Sequence, residues 1–321
     1  MIIVTGGAGF IGSNLVWQLN QQGRTDILIV DNMENTVKFK NLIGLKCQDY
    51  LDKRTFLADV EEGKFDNTDI DAFFHEGACS DTMEANGRYM LDNNYEYSKT
   101  MLHFCIKQRI PFFYASSAST YGSGEQGFRE DPACENALNV YAFSKLLFDR
   151  YVRQIFSKAR SQIVGLRYFN VYGPQENHKG RMASVAYHFF NQMAEKGKVS
   201  LFEGVDGYAN GEQLRDFVYV RDVVAVNLFF WQHPEKSGIF NCGTGRAQTF
   251  NDVANAVLKH YGRGEIEYIP FPDSLRGKYQ SYTQSDATNL QAAGYDKPFM
   301  SVADAVAEYC SILAKTGGYL K

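Results

Sequence analysis

The first 120 residues alternate short runs of β-branched and aromatic side chains with longer stretches in which apolar residues recur at helical spacing. Runs that are apolar throughout mark strands covered on both faces, and the 3.6-residue rhythm marks helices packed against them. The pattern predicts strands near Ile2–Thr5, Asp26–Asp31, Ala72–His75, Pro111–Ser116 and Gln162–Phe169, and helices over Phe10–Gln22, Met90–Gln108 and Val140–Lys158. Strands separated by helices pair in parallel through right-handed crossovers, so the expected core is a doubly wound parallel sheet of the α/β class.

Beyond Tyr172 the rhythm is less regular. It predicts a helix near Met182–Glu195, short strands at Val199–Phe202 and Phe217–Val220, and a late helix near Val302–Leu313. Gly238–Cys242 reads as a further buried strand that returns to the main sheet. The expected organisation is a nucleotide-binding domain over residues 1–172, with returning segments near 214–248, and a smaller mixed α/β substrate-binding domain over most of 173–321. No linker, low-complexity tract or internal repeat interrupts it.

Composition narrows the function classes. Thirty-three basic against 37 acidic side chains give a net charge of −4, which argues against a protein that tracks nucleic-acid phosphates. The six cysteines have no CxxC or metal-like spacing, so reduced thiols in a cytoplasmic protein are expected, with neither disulfides nor a bound metal. A strand begins within a residue or two of the start, and no apolar run approaches the ~18 residues of a membrane span. Neither secretion nor membrane insertion is expected.

Thr5-Gly6-Gly7-Ala8-Gly9-Phe10-Ile11-Gly12 follows an apolar strand and opens a helix, the setting in which a glycine triplet binds a dinucleotide pyrophosphate. Gly6, Gly9 and Gly12 allow a tight turn and close approach of the phosphates, which meet the positive end of the helix. Asp31 closes the second strand, roughly 20 residues on, where an acid reads the adenosine ribose. Taken alone, Asp31 favours NAD. Lys38 and Lys53 pull the other way, since either can neutralise a 2′-phosphate, although both also read as solvated surface lysines.

Tyr141-Ala142-Phe143-Ser144-Lys145 places a phenol and an ammonium on one helix face. A phenol with pKa near 10 becomes a base only where positive charge favours the phenolate, and Lys145 can supply it. Ser117, in the run Ala115-Ser116-Ser117-Ala118-Ser119-Thr120-Tyr121-Gly122 after a strand, can hydrogen-bond a reacting oxygen or merely cap a turn.

The ordered motifs TGGAGFIG, SSAST-YG, YAFSK and RYFNVYGP resemble the extended short-chain dehydrogenase/reductase superfamily. That resemblance implies a Rossmann-type fold, a nicotinamide cofactor and a triad on Ser117, Tyr141 and Lys145. The stretches Phe74–Ser80, Asp92–Tyr95, His178–Gly180, Leu201–Gly204, Arg215–Val220 and Tyr268–Pro272 resemble, along nearly the whole chain, the ADP-glyceromanno-heptose 6-epimerase family of nucleotide-sugar epimerases. That family inverts C6″ of ADP-D-glycero-D-manno-heptose through a 6-keto sugar, for the inner core of lipopolysaccharide.

The resemblance implies NADP, tightly bound and recycled in each turnover, and it assigns cofactor contacts to Phe10, Ile11, Asp31, Asn32, Lys38, Lys53, Glu76, Gly77, Ala78, Cys79, Ser80, Asn93, Lys145 and Val171. It places a second acid/base on Lys179, whose other reading is a diphosphate ligand. It maps ADP-heptose contacts onto Asn170, His188, Phe202, Glu203, Gly204, Arg215 and Tyr279, with Arg215 as diphosphate clamp. Arg181 stands where the family carries a small serine, and the loop from Val205 to Gln213 is longer than usual, so both Arg181 and Val205 enter the substrate-facing set. His188 also reads as a packed or capping histidine. A homo-oligomer such as a pentamer is implied as well. Two other classes fit the same motifs: an NADP-dependent nucleotide-sugar dehydrogenase or reductase, and a non-catalytic NADP-binding regulator.

Overall fold

The computed structural model describes every residue except 274–279. Seven parallel strands form the central sheet: β1 (Ile2–Thr5), β2 (Ile27–Asp31), β3 (Asp49–Asp52), β4 (Ala72–His75), β5 (Phe112–Ser117), β6 (Ile163–Tyr168) and a late strand, Gly238–Cys242, which pairs with β6. Four short strands precede that last one, β7 (Asn170–Tyr172), β8 (Lys198–Phe202), β9 (Leu214–Arg215) and β10 (Phe217–Tyr219), so Gly238–Cys242 is β11. The sheet order is β11-β6-β5-β4-β1-β2-β3. Its winding reverses between β1 and β4, and a crevice therefore opens at their carboxyl ends, where ligands of such sheets bind.

Helices cover both faces: α1 (Phe10–Gln21), α2 (Lys53–Glu61), α3 (Gly87–Leu91), α4 (Tyr97–Gln108), α5 (Val140–Ile155), α6 (Val185–Lys196) and α7 (Val220–Gln232). The strand residues Ile2–Thr5, Ile27–Asp31 and Ala72–His75 are all buried, which explains why their sequences carry no alternation. A second apolar core gathers α6 and β8 with α8 (Phe250–Tyr261), α9 (Thr288–Ala292) standing apart and α10 (Val302–Thr316) closing it through Val306, Tyr309 and Leu313. There β8 pairs in parallel with Glu265–Ile269, and β9 pairs antiparallel with Gln248–Thr249. Thr249 and Asp252 form a capping box that starts α8.

Several predicted elements change in the folded chain. The helix expected over Met90–Gln108 is interrupted by a π-turn at Asp92–Glu96, which swings Asn93 and Asn94 toward the neighbouring strands and helix. The helix expected from Met182 starts at Val185, because Ser184 caps it by accepting from the Tyr187 N–H, and Met182 belongs to a preceding 3₁₀ turn. Val220 opens α7 instead of ending a strand. The polar edge strand β3 and the all-round apolar α7 were not visible as periodic patterns. Among the described residues no helix is long and apolar enough to cross a membrane, no acid, histidine and cysteine group could hold a metal ion, and all six cysteines are free thiols.

Candidate active site

A cleft of about 690 Å³ runs along the carboxyl ends of the strands from the α1 turn to the start of α5. Its floor begins at the glycine turn. Gly6 has φ +68, and a Cβ there would stand 2.6 Å from the Gly77 nitrogen; a Cβ on Gly12 would stand 2.2 Å from the Gly6 carbonyl oxygen. The turn thus needs bare backbone on both sides. Gly9 caps α1 without a side-chain hydrogen bond, leaving the helix end open to an anion. These features fit a dinucleotide pyrophosphate.

At the adenosine end Asp31 is buried and fully engaged. Its Oδ2 accepts from the Ala8 N–H at 2.8 Å, and its Oδ1 accepts from the Asn32 N–H at 2.7 Å and from Lys38 Nζ at 2.8 Å. Lys53 Nζ lies 2.6 Å from Asn93 Oδ1. Two ammonium groups therefore border the place where the ribose of an adenosine would lie, and the Asp31 charge is paired.

The other end holds the reactive cluster. Ser117 closes β5, Tyr141 and Lys145 lie on the first turns of α5, and all three line the cleft. Asn139 caps α5 by accepting from the Ala142 N–H at 2.8 Å. Ser117 Oγ accepts from the Ser119 N–H and hydroxyl, leaving its own proton to give, and it hydrogen-bonds the Tyr141 phenol. Lys145 Nζ donates to the Ala115 carbonyl at 2.8 Å.

The register of α5 on the sheet is set by a buried charge network. Asp149 Oδ1 accepts from Tyr114 at 2.9 Å, while its Oδ2 accepts from Ser116 and from Arg167 Nε, each at 2.9 Å. Breaking such a fully buried pair costs about 3–5 kcal/mol, so helix and strand are held firmly together.

Electrostatically the cluster is dry. Burial pushes the Tyr141 phenol above its ordinary value, against the pull of the Ser117 hydrogen bond. Burial pushes Lys145 down to about 8, with Glu76 and Asp149 opposing the fall. The lysine consequently gives up its proton before the phenol does, and its field favours a phenolate only while it stays charged. His75 beneath is neutral, pushed down to about 3 by burial and by Lys145, and it bridges Thr5 and Ser98.

The opposite wall comes from β7 and the 3₁₀ turn at Asn177–Met182. Lys179 Nζ rests 4.9 Å from the ring centroid of Phe10, and among the described residues it has no hydrogen-bond or ion-pair partner. Burial pushes its pKa down, with Glu176 pulling it back. Glu176 is itself buried and accepts from the Ser184 N–H and hydroxyl and from Tyr309, which ties this turn to α6 and α10. Arg181 reaches across the cleft mouth to Asp81 at 2.9 Å.

Comparison with known proteins gives the arrangement its relatives. Residues 2–243 match the model of the NAD dependent epimerase/dehydratase family. The chain belongs to that family. A Brachyspira hyodysenteriae ADP-L-glycero-D-manno-heptose-6-epimerase is 58% identical over 100% of both chains. The crystal structure of the Helicobacter pylori ADP-L-glycero-D-manno-heptose-6-epimerase superposes with TM-score 0.84 at 30% identity, covering 98% of this chain and 96% of that one. A Thermus thermophilus UDP-glucose 4-epimerase solved with NAD superposes with TM-score 0.79 at 25% identity, covering 98% and 99%.

For this epimerase/dehydratase family member, the fold brings into one cleft Gly6, Gly9, Phe10, Ile11, Gly12, Asp31, Asn32, Lys38, Lys53, Glu76 to Ser80, Asn93, Ser117, Tyr141, Lys145, Asn170, Val171, Lys179 and Arg181. Six expected substrate contacts stand outside its lining. His188 is on α6 against Tyr187, Phe202 packs on Phe271, and the Glu203 carbonyl accepts from Gln213. The Gly204 N–H donates to Asn210, Val205 turns back to Tyr208, and Arg215 lies over the Phe250 ring. Tyr279 lies outside the described residues.

Asn94 is a site residue that motif spacing did not single out. Buried on the π-turn, it accepts from the Cys79 N–H at 2.8 Å, and its amide donates to the Cys79 carbonyl at 2.9 Å and to Ser144 Oγ at 3.1 Å. It therefore clamps the Gly77–Ser80 wall to α5. In the sequence it falls, beside Asn93, within the Asp92–Tyr95 stretch that carries the family resemblance. Asn94→Ala is expected to weaken cofactor binding about tenfold, since the wall loses its buried anchors; calorimetric titration beside circular dichroism checks this. Wild-type affinity in the folded variant would refute the clamp.

Proposed function

We propose that the protein inverts C6″ of ADP-D-glycero-D-manno-heptose to the L-glycero epimer, through a transient 6-keto sugar, in the supply of lipopolysaccharide core precursors. The observation that carries this is the full-length 58% identity to a curated enzyme of that name, together with a cleft carrying Tyr141 on one wall and Lys179 on the other. An epimerase acting on a nucleotide sugar is an isomerase. The nearby C–H bears a hydroxyl and no adjacent carbonyl, so direct deprotonation is chemically very slow.

A nicotinamide cofactor held in this cleft, its pyrophosphate on the Gly6–Gly12 turn, would supply hydride acceptance and return and would be unchanged over a cycle. Ser117 hydrogen-bonds the C6″ oxygen, and Tyr141 removes its proton while Lys145 holds the positive field. Hydride returned to the opposite face requires the keto end to turn, which carries its oxygen away from Tyr141. Lys179, without a partner among the described residues and with its pKa lowered, delivers the proton at the second position. Within this reading residues 1–172, with 214–248 returning, bind the cofactor, and most of 173–321 binds the sugar nucleotide through Asn170, Arg181, His188, Phe202 to Val205, Arg215 and Tyr279.

The cofactor in this reading is NADP. The pairing of Asp31 with Lys38, and Lys53 nearby, supports it, because a free carboxylate would repel a 2′-phosphate. Replacing Lys38 and Lys53 together by alanine is expected to weaken NADP binding by about tenfold or more, with little change for NAD, in fluorescence titrations. Equal losses for both would remove the phosphate role. Cytoplasmic location and a homo-oligomeric state, such as a pentamer, complete the proposal.

Incubation with ADP-D-glycero-D-manno-heptose, followed by NMR at C6″, tests the function directly. Inversion without net change in nicotinamide absorbance supports it. Stoichiometric cofactor consumption would favour a dehydrogenase or reductase, and binding without any turnover would favour a regulator.

A further inference from the structure

We propose that Glu76 is a positioning residue for the reaction, a buried counter-charge that keeps the Lys145 ammonium charged on the dry floor of the cleft. The inference rests on the reading of Lys145 given above. Glu76 directly follows β4 and lines the cleft. Its Oε1 accepts from the Tyr168 hydroxyl at 2.8 Å, and that hydroxyl in turn accepts from Asn227 Nδ2 at 2.9 Å. Its Oε2 is buried and has no hydrogen-bond partner among the described residues. A buried carboxylate oxygen left without a donor is costly unless a cation compensates it.

Lys145 supplies that charge from beyond ion-pair distance: β4 and β5 pair His75 with Tyr114, so Glu76 follows beside Ala115, whose carbonyl holds the Lys145 ammonium in the same cleft. Its ammonium carries three N–H donors, and one is given to the Ala115 carbonyl. Among the described residues the other groups around Glu76 carry no positive charge. Tyr168 on β6 and Cys242 on β11 are neutral and pushed upward by burial, Asn227 on α7 is uncharged, and His75 on the same strand end is neutral. Asp149, the second carboxylate that acts on Lys145, is already committed to Tyr114, Ser116 and Arg167. Glu76 is therefore the carboxylate with lone pairs to spare. Burial pushes Glu76 up to about 7 and Lys145 down to about 8, and each charge opposes the shift of the other.

The charge on Lys145 is present below its pKa and lost as pH rises through about 8. Glu76→Gln keeps the acceptor for Tyr168 but removes the negative charge, so Lys145 should lose its proton about one pH unit lower. The reactive form, a Tyr141 phenolate beside a Lys145 ammonium, has the same proton count as the neutral pair, so a Lys145 one unit more acidic makes it about tenfold scarcer, and kcat above about pH 8 should fall about tenfold. Tyr168→Phe removes the donor that holds Glu76 ionised, so it should shift Lys145 in the same direction, and the double variant should shift no further than Glu76→Gln alone.

The measurement is an NMR titration of isotope-labelled lysine in the full-length, cofactor-loaded protein, with Lys145 assigned through Lys145→Arg, beside the pH profile of kcat. A downward shift of the Lys145 titration in either single variant, saturating in the double, supports the role. An unchanged Lys145 titration in Glu76→Gln, or in Tyr168→Phe should the first variant not fold, overturns it. Full turnover by Lys145→Arg and Lys145→Ala would instead overturn the reading of Lys145 itself, which separates the two failures.

Discussion

Tyr141→Phe is expected to lower epimerisation by at least about a thousand-fold while the purified protein keeps its normal cofactor content. The substitution removes one oxygen and leaves the ring, which sits half-buried on the first turn of α5. The caps of that helix, the Asn94 clamp and the Asp149 network involve other atoms, so the fold should stand. What is lost is the group that exchanges a proton with the reacting oxygen. In the protein alone Tyr141 is a neutral phenol, since burial raises its pKa and Lys145 loses its proton first. A neutral phenol accepts no proton, so proton removal by Tyr141 requires that the Tyr141 and Lys145 pair has lost one, and it should rise as pH increases through about 8, where the pair first discharges. Cofactor content by absorbance, with C6″ inversion by NMR, checks the result; turnover within tenfold of wild type would show that Tyr141 is not the acid/base.

Lys179→Met should cut epimerisation by about a hundredfold or more through kcat, with a smaller effect on KM. Methionine matches the length of the stem and keeps the contact with the Phe10 ring, so the turn at Asn177–Met182 should hold its place through Glu176. Tyr141 is untouched in this variant. The first oxidation should survive, visible as transient cofactor reduction in a stopped-flow experiment, while protonation at the second oxygen position fails. A raised KM with kcat unchanged would make Lys179 a diphosphate ligand and leave inversion to Tyr141 alone.

Much of the site was legible because its parts are local. Gly6, Gly9 and Gly12 are needed by a single strand-to-helix turn, and Tyr141 and Lys145 share one helix face by spacing alone. Parallel strands buried on both faces announce themselves as uninterrupted apolar runs, so β1, β2, β4, β5 and β6 were found within a residue of their ends. The π-turn was not legible, since its cause is the set of partners that Asn94 meets on Cys79 and Ser144, distant in sequence. The placement of His188, Phe202 and Arg215 outside the cleft lining was equally out of reach, because it depends on how β8, β9 and α8 pack.

The sequence by itself determined the fold class, the glycine turn and the Tyr141 and Lys145 set on one helix face, because each rests on periodicity or on spacing within one element. Only the tertiary structure decided the electrical state of that set. Burial and long-range pairing set Lys38 against Asp31, leave Lys179 over the Phe10 ring without a partner among the described residues, and draw the Lys145 ammonium onto the Ala115 carbonyl in a dry cleft. A charge is governed by the solvent it has lost and the partners it has gained, and both are properties of the folded chain.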